Sequence, residues 1–152
     1  MKKLAILIGN IGCGKSTLAE AYYKKGYIII SRDSMRYGIG NGHYTFKPKY
    51  EPVIVKTAVY MFKETCKRGF DIVLDEVNVC RFYREKYIAI AKKYGYKTTA
   101  RVLPILSKEV AVERRMRNPH GQPDRRIWEM VWDKFDNIYE EPLLVEGFDS
   151  IE

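Results

Sequence analysis

The sequence has few of the features that mark secreted, zinc-binding or membrane proteins. Only three of its 152 residues are cysteines: Cys13, Cys66 and Cys80. They are too few and too widely spaced for a disulfide framework or a zinc site. The longest apolar runs have the length of a strand, whereas a membrane-spanning helix needs about 20 such residues. We therefore expect a cytoplasmic protein that does not associate with a membrane.

The sequence also lacks an internal repeat, a low-complexity tract or a linker that would divide it. With 46% hydrophobic and 30% charged residues, its composition is that of a globular protein, so we expect one domain over residues 1–152. Acidic residues are in the minority, 19 against 27 basic ones, for a net charge of +8. This balance favours a polyanionic partner, a nucleotide or a nucleic acid. Nothing in the sequence indicates an obligate protein partner.

A phosphate-binding motif lies near the N-terminus. Residues 9–16 read Gly-Asn-Ile-Gly-Cys-Gly-Lys-Ser and follow the apolar run 4–8, which predicts a buried strand. A helical pattern begins directly afterwards. In such a P-loop, Gly9, Gly12 and Gly14 let backbone N–H groups turn toward a phosphate chain, and the helix N-terminus adds positive charge. The motif predicts binding of ATP or another nucleoside triphosphate.

Side chains of the P-loop and of a second motif are candidates for binding the nucleotide and its metal. Lys15 would reach the β- and γ-phosphates and Ser16 would hold Mg²⁺, with Cys13 and Thr17 completing the phosphate-binding loop. Asp75 directly follows the third apolar run, which is the Walker B position of a Mg²⁺-binding carboxylate. Its neighbour Glu76 is a candidate catalytic base, as in ATPases that activate a water molecule.

Strand-sized apolar runs alternate with helical patterns along the chain. Strands are predicted at 3–8, 27–30, 72–74, 97–103 and 143–145, and helices at 15–25, 52–68, 81–94, 107–117 and 124–135. The polar segment 31–42 contains three glycines and is predicted to be a mobile loop. Apolar strands separated by helices are typical of a parallel sheet covered on both faces. The sequence therefore predicts a three-layer α/β domain.

A second polar cluster follows the second predicted strand. Asp33 and Arg36 are three residues apart, so on one helical turn they would face the same way. A carboxylate there could take a proton from an attacking hydroxyl, and a guanidinium could hold a phosphate. The alternative is that Asp33 caps a short helix and pairs with Arg36 at the surface. Beside a P-loop we favour the catalytic interpretation.

Residues 107–126 are predicted to form a lid over the triphosphate. This segment joins two helical patterns and carries several arginines, which would supply positive charge to the transition state. The alternative is that these cations simply favour the end of a helix. His120 is interpreted as an ordinary loop residue.

Taken in order, these motifs resemble the kinase domain of phage-type polynucleotide 5′-hydroxyl kinases, which are P-loop kinases of adenylate-kinase-like topology. The resemblance rests on GxxGCGKST, SRDxxR, the acidic pair after the third strand and the arginine-rich lid. It implies a five-stranded parallel sheet of order 2-3-1-4-5 and a helical lid. It also implies transfer of the γ-phosphate of ATP, with Mg²⁺, to the 5′-OH of DNA or RNA.

The resemblance also implies roles for individual residues. Asp33 would be the general base, and Arg36 would contact the acceptor phosphate or the transferring group. In the lid, Arg117 and its neighbour Arg114 would bind ATP. The chain departs from the family in two respects: it has no room for a separate 3′-phosphatase domain, and its lid arginines are out of register with the family pattern.

Two other functions fit parts of the same pattern. A kinase for a small hydroxyl acceptor, such as a nucleoside, a sugar or a nucleotide sugar, would use the same Asp33 and Arg36. A nucleotide-dependent switch protein would hydrolyse ATP and depend on Glu76 instead. Aromatic residues in and just after the predicted loop 31–42 are candidates for stacking on a base or for ordinary packing. They are Tyr37, His43, Tyr44 and Phe46.

Overall fold

Five short strands form one parallel sheet. In the computed structural model, which describes residues 1–152, they are β1 Lys3–Ile8, β2 Ile28–Ile30, β3 Ile72–Leu74, β4 Lys97–Val102 and β5 Ser150–Ile151. Their order across the sheet is β2-β3-β1-β4-β5, and every neighbouring pair is parallel. The predicted α/β class and the strand order implied by the resemblance are both confirmed.

Six helices accompany the sheet. They are α1 Lys15–Tyr23, α2 Arg32–Ile39, α3 Glu51–Arg68, α4 Arg81–Lys93, α5 Lys108–Arg117 and α6 Arg125–Asn137. None of them combines the length and the apolar character that crossing a bilayer would require.

Alternate strand residues point to opposite faces of the sheet, and each face has its own apolar core. On one face Leu4 and Ile6 of β1 pack in a cluster with Phe62 of α3 and Ile88 of α4. On the other face the core is smaller and includes Leu7 of β1, with residues of α1 packed against it. Both faces of β1 are therefore buried from Leu4 to Ile8, which explains why these five residues are apolar.

The chain changes direction across the sheet at β1. From β1 it passes to β2 and β3 on one side, and then crosses to β4 and β5 on the other. Ligands of open parallel sheets bind at the carboxyl end of the strands, at such a switch point. The loop that follows β1, residues 9–14, occupies this place.

The predicted mobile loop over 31–42 is wrong for most of its length. Residues 32–39 form α2, whose N-cap is Ser31, with its hydroxyl accepting a hydrogen bond from the N–H of Ser34 at 3.3 Å. Only one of the three glycines lies inside the helix, and Gly40 ends it. Asp33 and Arg36, the candidates for contact with the hydroxyl acceptor, therefore lie on a helix.

The fifth strand lies later in the chain than predicted. Residues 143–145 do not form a strand; Leu144–Glu146 is a 3₁₀ turn, and β5 pairs with β4 at Ser150–Ile151. The cause is Glu146, which accepts a hydrogen bond from the N–H of Leu143 and two from the buried guanidinium of Arg84. These bonds hold the segment in a turn.

Candidate functional site

The loop after β1 presents a row of unpaired backbone donors. The N–H groups of residues 12–17 donate no hydrogen bond within the chain. Gly12, Cys13 and Lys15 are buried or half-buried. N–H groups in such positions normally have a partner, so the row indicates a ligand with acceptor atoms. Because the row runs into the first turn of α1, it coincides with the positive end of the helix dipole. The loop therefore fits the phosphate chain predicted from the motif.

Two of the P-loop glycines are required by close contacts. Gly12 has a φ of 71°, and a Cβ atom there would lie 2.2 Å from the carbonyl oxygen of Ala111 in α5. A Cβ on Gly9 would lie 2.5 Å from Sγ of Cys13. Cys13 is buried in the core on this face, which accounts for a small side chain at that position. The loop and the start of the predicted lid are thus packed against each other.

The Lys15 side chain folds back over the loop. Its Nζ donates to the carbonyl oxygens of Gly9 and Asn10 at 2.9 and 2.7 Å, and lies 3.6 Å from Sγ of Cys13. Burial lowers the pKa of Lys15, and the nearby charge of Asp75 acts in the opposite direction. An ammonium group held against the row of donors is well placed to meet the charge of a bound triphosphate.

Asp75 and Ser16 suit a magnesium ion that is shared with a nucleotide. Ser16 is exposed at the start of α1, and half-buried Asp75 follows β3 within the electrostatic reach of Lys15. No group of three or more His, Cys, Asp or Glu residues is arranged to hold a metal unaided. Mg²⁺ ordinarily uses one or two protein oxygens together with phosphates and water. The two residues fit that mode, in which the phosphates supply the remaining ligands.

Glu76, the alternative catalytic base, is already occupied. Its Oε1 accepts a hydrogen bond from the backbone N–H of Arg32 at 2.7 Å and lies 3.1 Å from Nε of the same residue. Burial raises the pKa of Glu76, and Arg32 acts against that shift. Since Arg32 is the first residue of α2, Glu76 anchors the start of this helix. This contact gives Glu76 a structural role at the start of α2.

Arg36 is buried between two carboxylates. Its Nη1 donates to Oδ1 of Asp33 at 2.7 Å, while Nε and Nη2 donate to the two oxygens of Glu51 at 3.1 and 2.5 Å. Asp33 and Arg36 therefore do form a pair, in which the arginine is buried and the Asp33 side chain is partly exposed. Guanidinium has five N–H donors, so two remain for a ligand. The structure adds Glu51, the first residue of α3, to the site.

Asp33 also receives a hydrogen bond from a tyrosine. The hydroxyl of Tyr44 donates to Oδ1 of Asp33 at 2.8 Å, the same oxygen that Arg36 uses. Burial raises the pKa of Asp33, but the hydrogen bond from Tyr44 and the charge of Arg36 outweigh it, so the pKa lies below its ordinary value. Asp33 is consequently ionised at neutral pH.

His120 belongs to an aromatic cluster that joins the α5–α6 loop to α2 and the segment after it. Its ring stacks on Tyr44 with centroids 4.7 Å apart, and its Nδ1 is hydrogen-bonded to the hydroxyl of Tyr37 at 2.6 Å. The interpretation of His120 as an ordinary loop residue is therefore wrong. Of the aromatic candidates for base stacking, Tyr37 and Tyr44 are engaged in this cluster, while His43 and Phe46 are exposed.

A third lid arginine, Arg115, acts by its charge on the P-loop lysine, while the ATP-binding roles of Arg114 and Arg117 stay predictions. Arg114 and Arg117 are exposed on α5, whereas half-buried Arg115 contributes to the electrostatic environment of Lys15 and Asp75. The guanidinium of Arg115 lies 5.0 Å from the ring centre of Trp128, and its Nε is buried without a partner. Successive helix residues differ by about 100° in direction, so Arg115 lies on a different face of α5 from its neighbour Arg114.

The chain is similar to one protein family, to a viral protein and to several solved structures. Residues 4–142 match the model of the AAA domain family. The chain is 30% identical over 125 residues, 74% of its length, to a protein of Autographa californica nuclear polyhedrosis virus named as a bifunctional polynucleotide kinase/RNA ligase. One chain of the Pnkp1/Rnl/Hen1 complex is 25% identical, with a TM-score of 0.63 over 74% of this chain. A gluconokinase from Sinorhizobium meliloti shares the fold at 18% identity and a TM-score of 0.58, covering 98% of this chain and 80% of its own.

Two of these relatives are much longer proteins. The matched region is 18% of the viral protein and 38% of the chain in the Pnkp1/Rnl/Hen1 complex. The similarity therefore concerns one part of each of them.

Proposed function

The chain belongs to the AAA domain family, and we propose that it is a Mg²⁺-dependent kinase that transfers the γ-phosphate of ATP to the 5′-hydroxyl of DNA or RNA. The observation that carries the proposal is the position of Asp33. Asp33 lies on α2, which begins directly after β2, while Asp75 follows β3 and the row of unpaired N–H groups follows β1. These three strands are parallel neighbours, so all of these groups lie at the carboxyl edge of the sheet. A phosphate chain and a hydroxyl acceptor would meet there.

On the nucleotide side, the P-loop would hold ATP through its backbone donors. Lys15 would release the carbonyl oxygens of its own loop and bind the β- and γ-phosphates. Ser16 and Asp75 would hold Mg²⁺, which neutralises charge on the phosphates. Residues 107–126 would act as the lid within a single domain. Arg115, whose buried Nε lacks a partner, is the lid arginine best placed to stabilise the transferring group.

On the acceptor side, Asp33 would orient the attacking hydroxyl and take up its proton. Both hydrogen bonds from within the chain go to Oδ1, which leaves Oδ2 for the acceptor. A carboxylate with a lowered pKa is a weak base, but phosphoryl transfer by a loose transition state asks mainly for positioning. Arg36, with two free N–H donors, would hold the acceptor phosphate or the transferring group.

Three observations support a nucleic acid as the acceptor. The chain carries a net charge of +8, which favours binding to a phosphate backbone. Phe46 is 59% exposed and lies against the guanidinium of Arg36, 5.3 Å from Cζ to the ring centre, where a terminal base could stack. The viral relative is named as a polynucleotide kinase.

A small hydroxyl compound is the second candidate acceptor, since the gluconokinase from Sinorhizobium meliloti has the same fold over nearly the whole chain. A nucleotide switch ranks lower, because Glu76 is tied to Arg32 and Asp33 would have no function.

An acceptor panel tests the proposal. The protein is incubated with Mg²⁺ and γ-labelled ATP together with a 5′-OH oligonucleotide, the same oligonucleotide already 5′-phosphorylated, a nucleoside or gluconate. We expect label only on the 5′-OH oligonucleotide. Label on the nucleoside or gluconate alone would establish the second candidate. Release of labelled phosphate without any acceptor, abolished in Glu76→Gln, would support the switch.

A further inference from the structure

Asp33 is held at one of its two oxygens only. Nη1 of Arg36 and the hydroxyl of Tyr44 both donate to Oδ1, at 2.7 and 2.8 Å. Arg36 fixes this oxygen from the same helix, one turn further along α2. Tyr44 approaches from the segment between α2 and α3. Two donors from different directions fix the plane of the carboxylate better than the arginine alone would.

Tyr44 is itself held by residues that are distant in sequence. Its ring stacks on His120 at a centroid distance of 4.7 Å and an interplanar angle of 21°, and packs edge-on against Tyr37 at 5.2 Å. The Tyr37 hydroxyl closes the group through its hydrogen bond to Nδ1 of His120. The loop carrying His120 is in turn tied to α6, since Nε1 of Trp128 donates to the carbonyl oxygen of Gln122 at 3.0 Å.

We propose that Tyr44 is a positioning residue for Asp33. His120 fixes the position of the Tyr44 ring by stacking on it, and so links the α5–α6 loop to Asp33. The inference rests on the proposed role of Asp33 as the group that receives the acceptor hydroxyl. A shift of the loop would move His120, release the Tyr44 ring and free the carboxylate to rotate. The orientation of Asp33 thereby depends on the position of the predicted lid, although no lid residue forms a hydrogen bond with Asp33.

The first test is removal of the Tyr44 hydroxyl. Tyr44→Phe keeps the ring stacked on His120 and deletes one hydrogen bond to a charged group. We expect kcat for phosphate transfer to fall about tenfold, with the Kd for ATP unchanged. Tyr23→Phe, an exposed tyrosine on α1, is the matched control and should behave as wild type. A Tyr44→Phe variant with wild-type kcat would overturn the proposal.

The second test is the stack between His120 and Tyr44. Phe82→Ala, which truncates an aromatic side chain that is exposed on α4 outside the site, is the control for His120→Ala. We expect His120→Ala to lower kcat severalfold while Phe82→Ala does not. The double variant Tyr44→Phe/His120→Ala should lose less than the product of the two single losses, because both act through Asp33. Independent, multiplying losses would contradict the link.

A third readout needs no acceptor and separates this inference from the proposed function. The carboxyl carbon of Asp33, assigned with Asp33→Asn, is titrated by NMR in wild type and Tyr44→Phe. The charged groups around it are Arg36 on its own helix, His120 from the α5–α6 loop, and Asp75 and Glu76 after β3. Loss of a hydrogen bond to the carboxylate should raise the pKa of Asp33. An unchanged titration would overturn the positioning role even if transfer to an oligonucleotide is seen. A raised pKa without any transfer would support the hydrogen bond from Tyr44 and count against the polynucleotide kinase function.

Discussion

Glu51 holds Arg36 through two hydrogen bonds, from Nε to Oε2 at 3.1 Å and from Nη2 to Oε1 at 2.5 Å. Arg36 is only 9% exposed, so its charge requires a partner inside the protein. Asp33 supplies a third contact to the same guanidinium. Glu51 thus fixes the direction in which Arg36 presents its two remaining donors, and it ties the acceptor helix α2 to the first turn of α3.

Replacing Glu51 tests this arrangement. Glu51→Gln removes the negative charge but keeps the size of the side chain. We expect the free energy of unfolding to fall by about 2 kcal/mol and kcat to fall about tenfold or more, since the guanidinium loses one of its three acceptor oxygens and one of its two carboxylate charges. Denaturant unfolding and the transfer assay measure the two effects. Glu64→Gln, which breaks a partly exposed pair with Lys67 on the same helix, should leave the free energy of unfolding close to that of wild type.

The lid arginines make a second prediction. Arg115→Ala should lower kcat by about a hundredfold or more, because a cation near the transferring group acts mainly on the transition state. Arg114→Ala and Arg117→Ala, both at exposed positions of α5, should retain most of the activity. Steady-state kinetics of the three variants at saturating ATP decide the question. Loss of activity in Arg117→Ala with a normal Arg115→Ala would restore the assignment drawn from the sequence.

Phe46 is predicted to act on the acceptor alone. Phe46→Ala should raise KM for a 5′-OH oligonucleotide about tenfold, the contribution of one stacked base, and leave the Kd for ATP unchanged. Phe82→Ala is the control, since Phe82 is 73% exposed on α4 and lies outside the site. If both variants have wild-type KM values, the terminal base is not stacked on Phe46.

His120 provides a prediction about pH. Burial lowers the pKa of His120 below its ordinary value of 6.5, the charge of Arg115 adds to the shift, and Asp33 opposes it. As the pH falls below 6.5, the unfolded chain gains a proton at this position that the folded protein does not. The free energy of unfolding should therefore decrease in that range, and less so in His120→Phe. NMR titration of the His120 ring signals measures its pKa directly.

The P-loop was readable from the sequence because its requirements are local. The glycines, Lys15 and Ser16 form one short segment, and the apolar run before them has no alternative to a buried strand. The position of Asp75 is readable for the same reason, as the first residue after another apolar run, and its role as a Mg²⁺ ligand stays a prediction. Local patterns of this kind also predicted the alternation of strands and helices that defines the sheet.

The acceptor side was only partly readable because it is assembled from distant residues. Nothing near Asp33 in the sequence indicates that Tyr44, Glu51 or His120 would contact it or Arg36; these contacts exist only after α2, α3 and the α5–α6 loop have packed. The three glycines of segment 31–42 suggested a loop, whereas the Ser31 cap starts a helix there. Which lid arginine approaches the P-loop depends on the rotation of α5, which the sequence pattern did not determine.

The most direct test of the central claim is the fate of the γ-phosphate of ATP in the presence of a 5′-OH oligonucleotide. Wild type and Asp33→Asn are compared with Mg²⁺, ATP binding is measured on both, and the product is analysed by mass spectrometry for a 5′-phosphate. We predict a 5′-phosphorylated strand with wild type and almost none with Asp33→Asn, at similar Kd values for ATP. Equal transfer by the two proteins, or no 5′-phosphate from wild type that binds ATP normally, would contradict the proposed function.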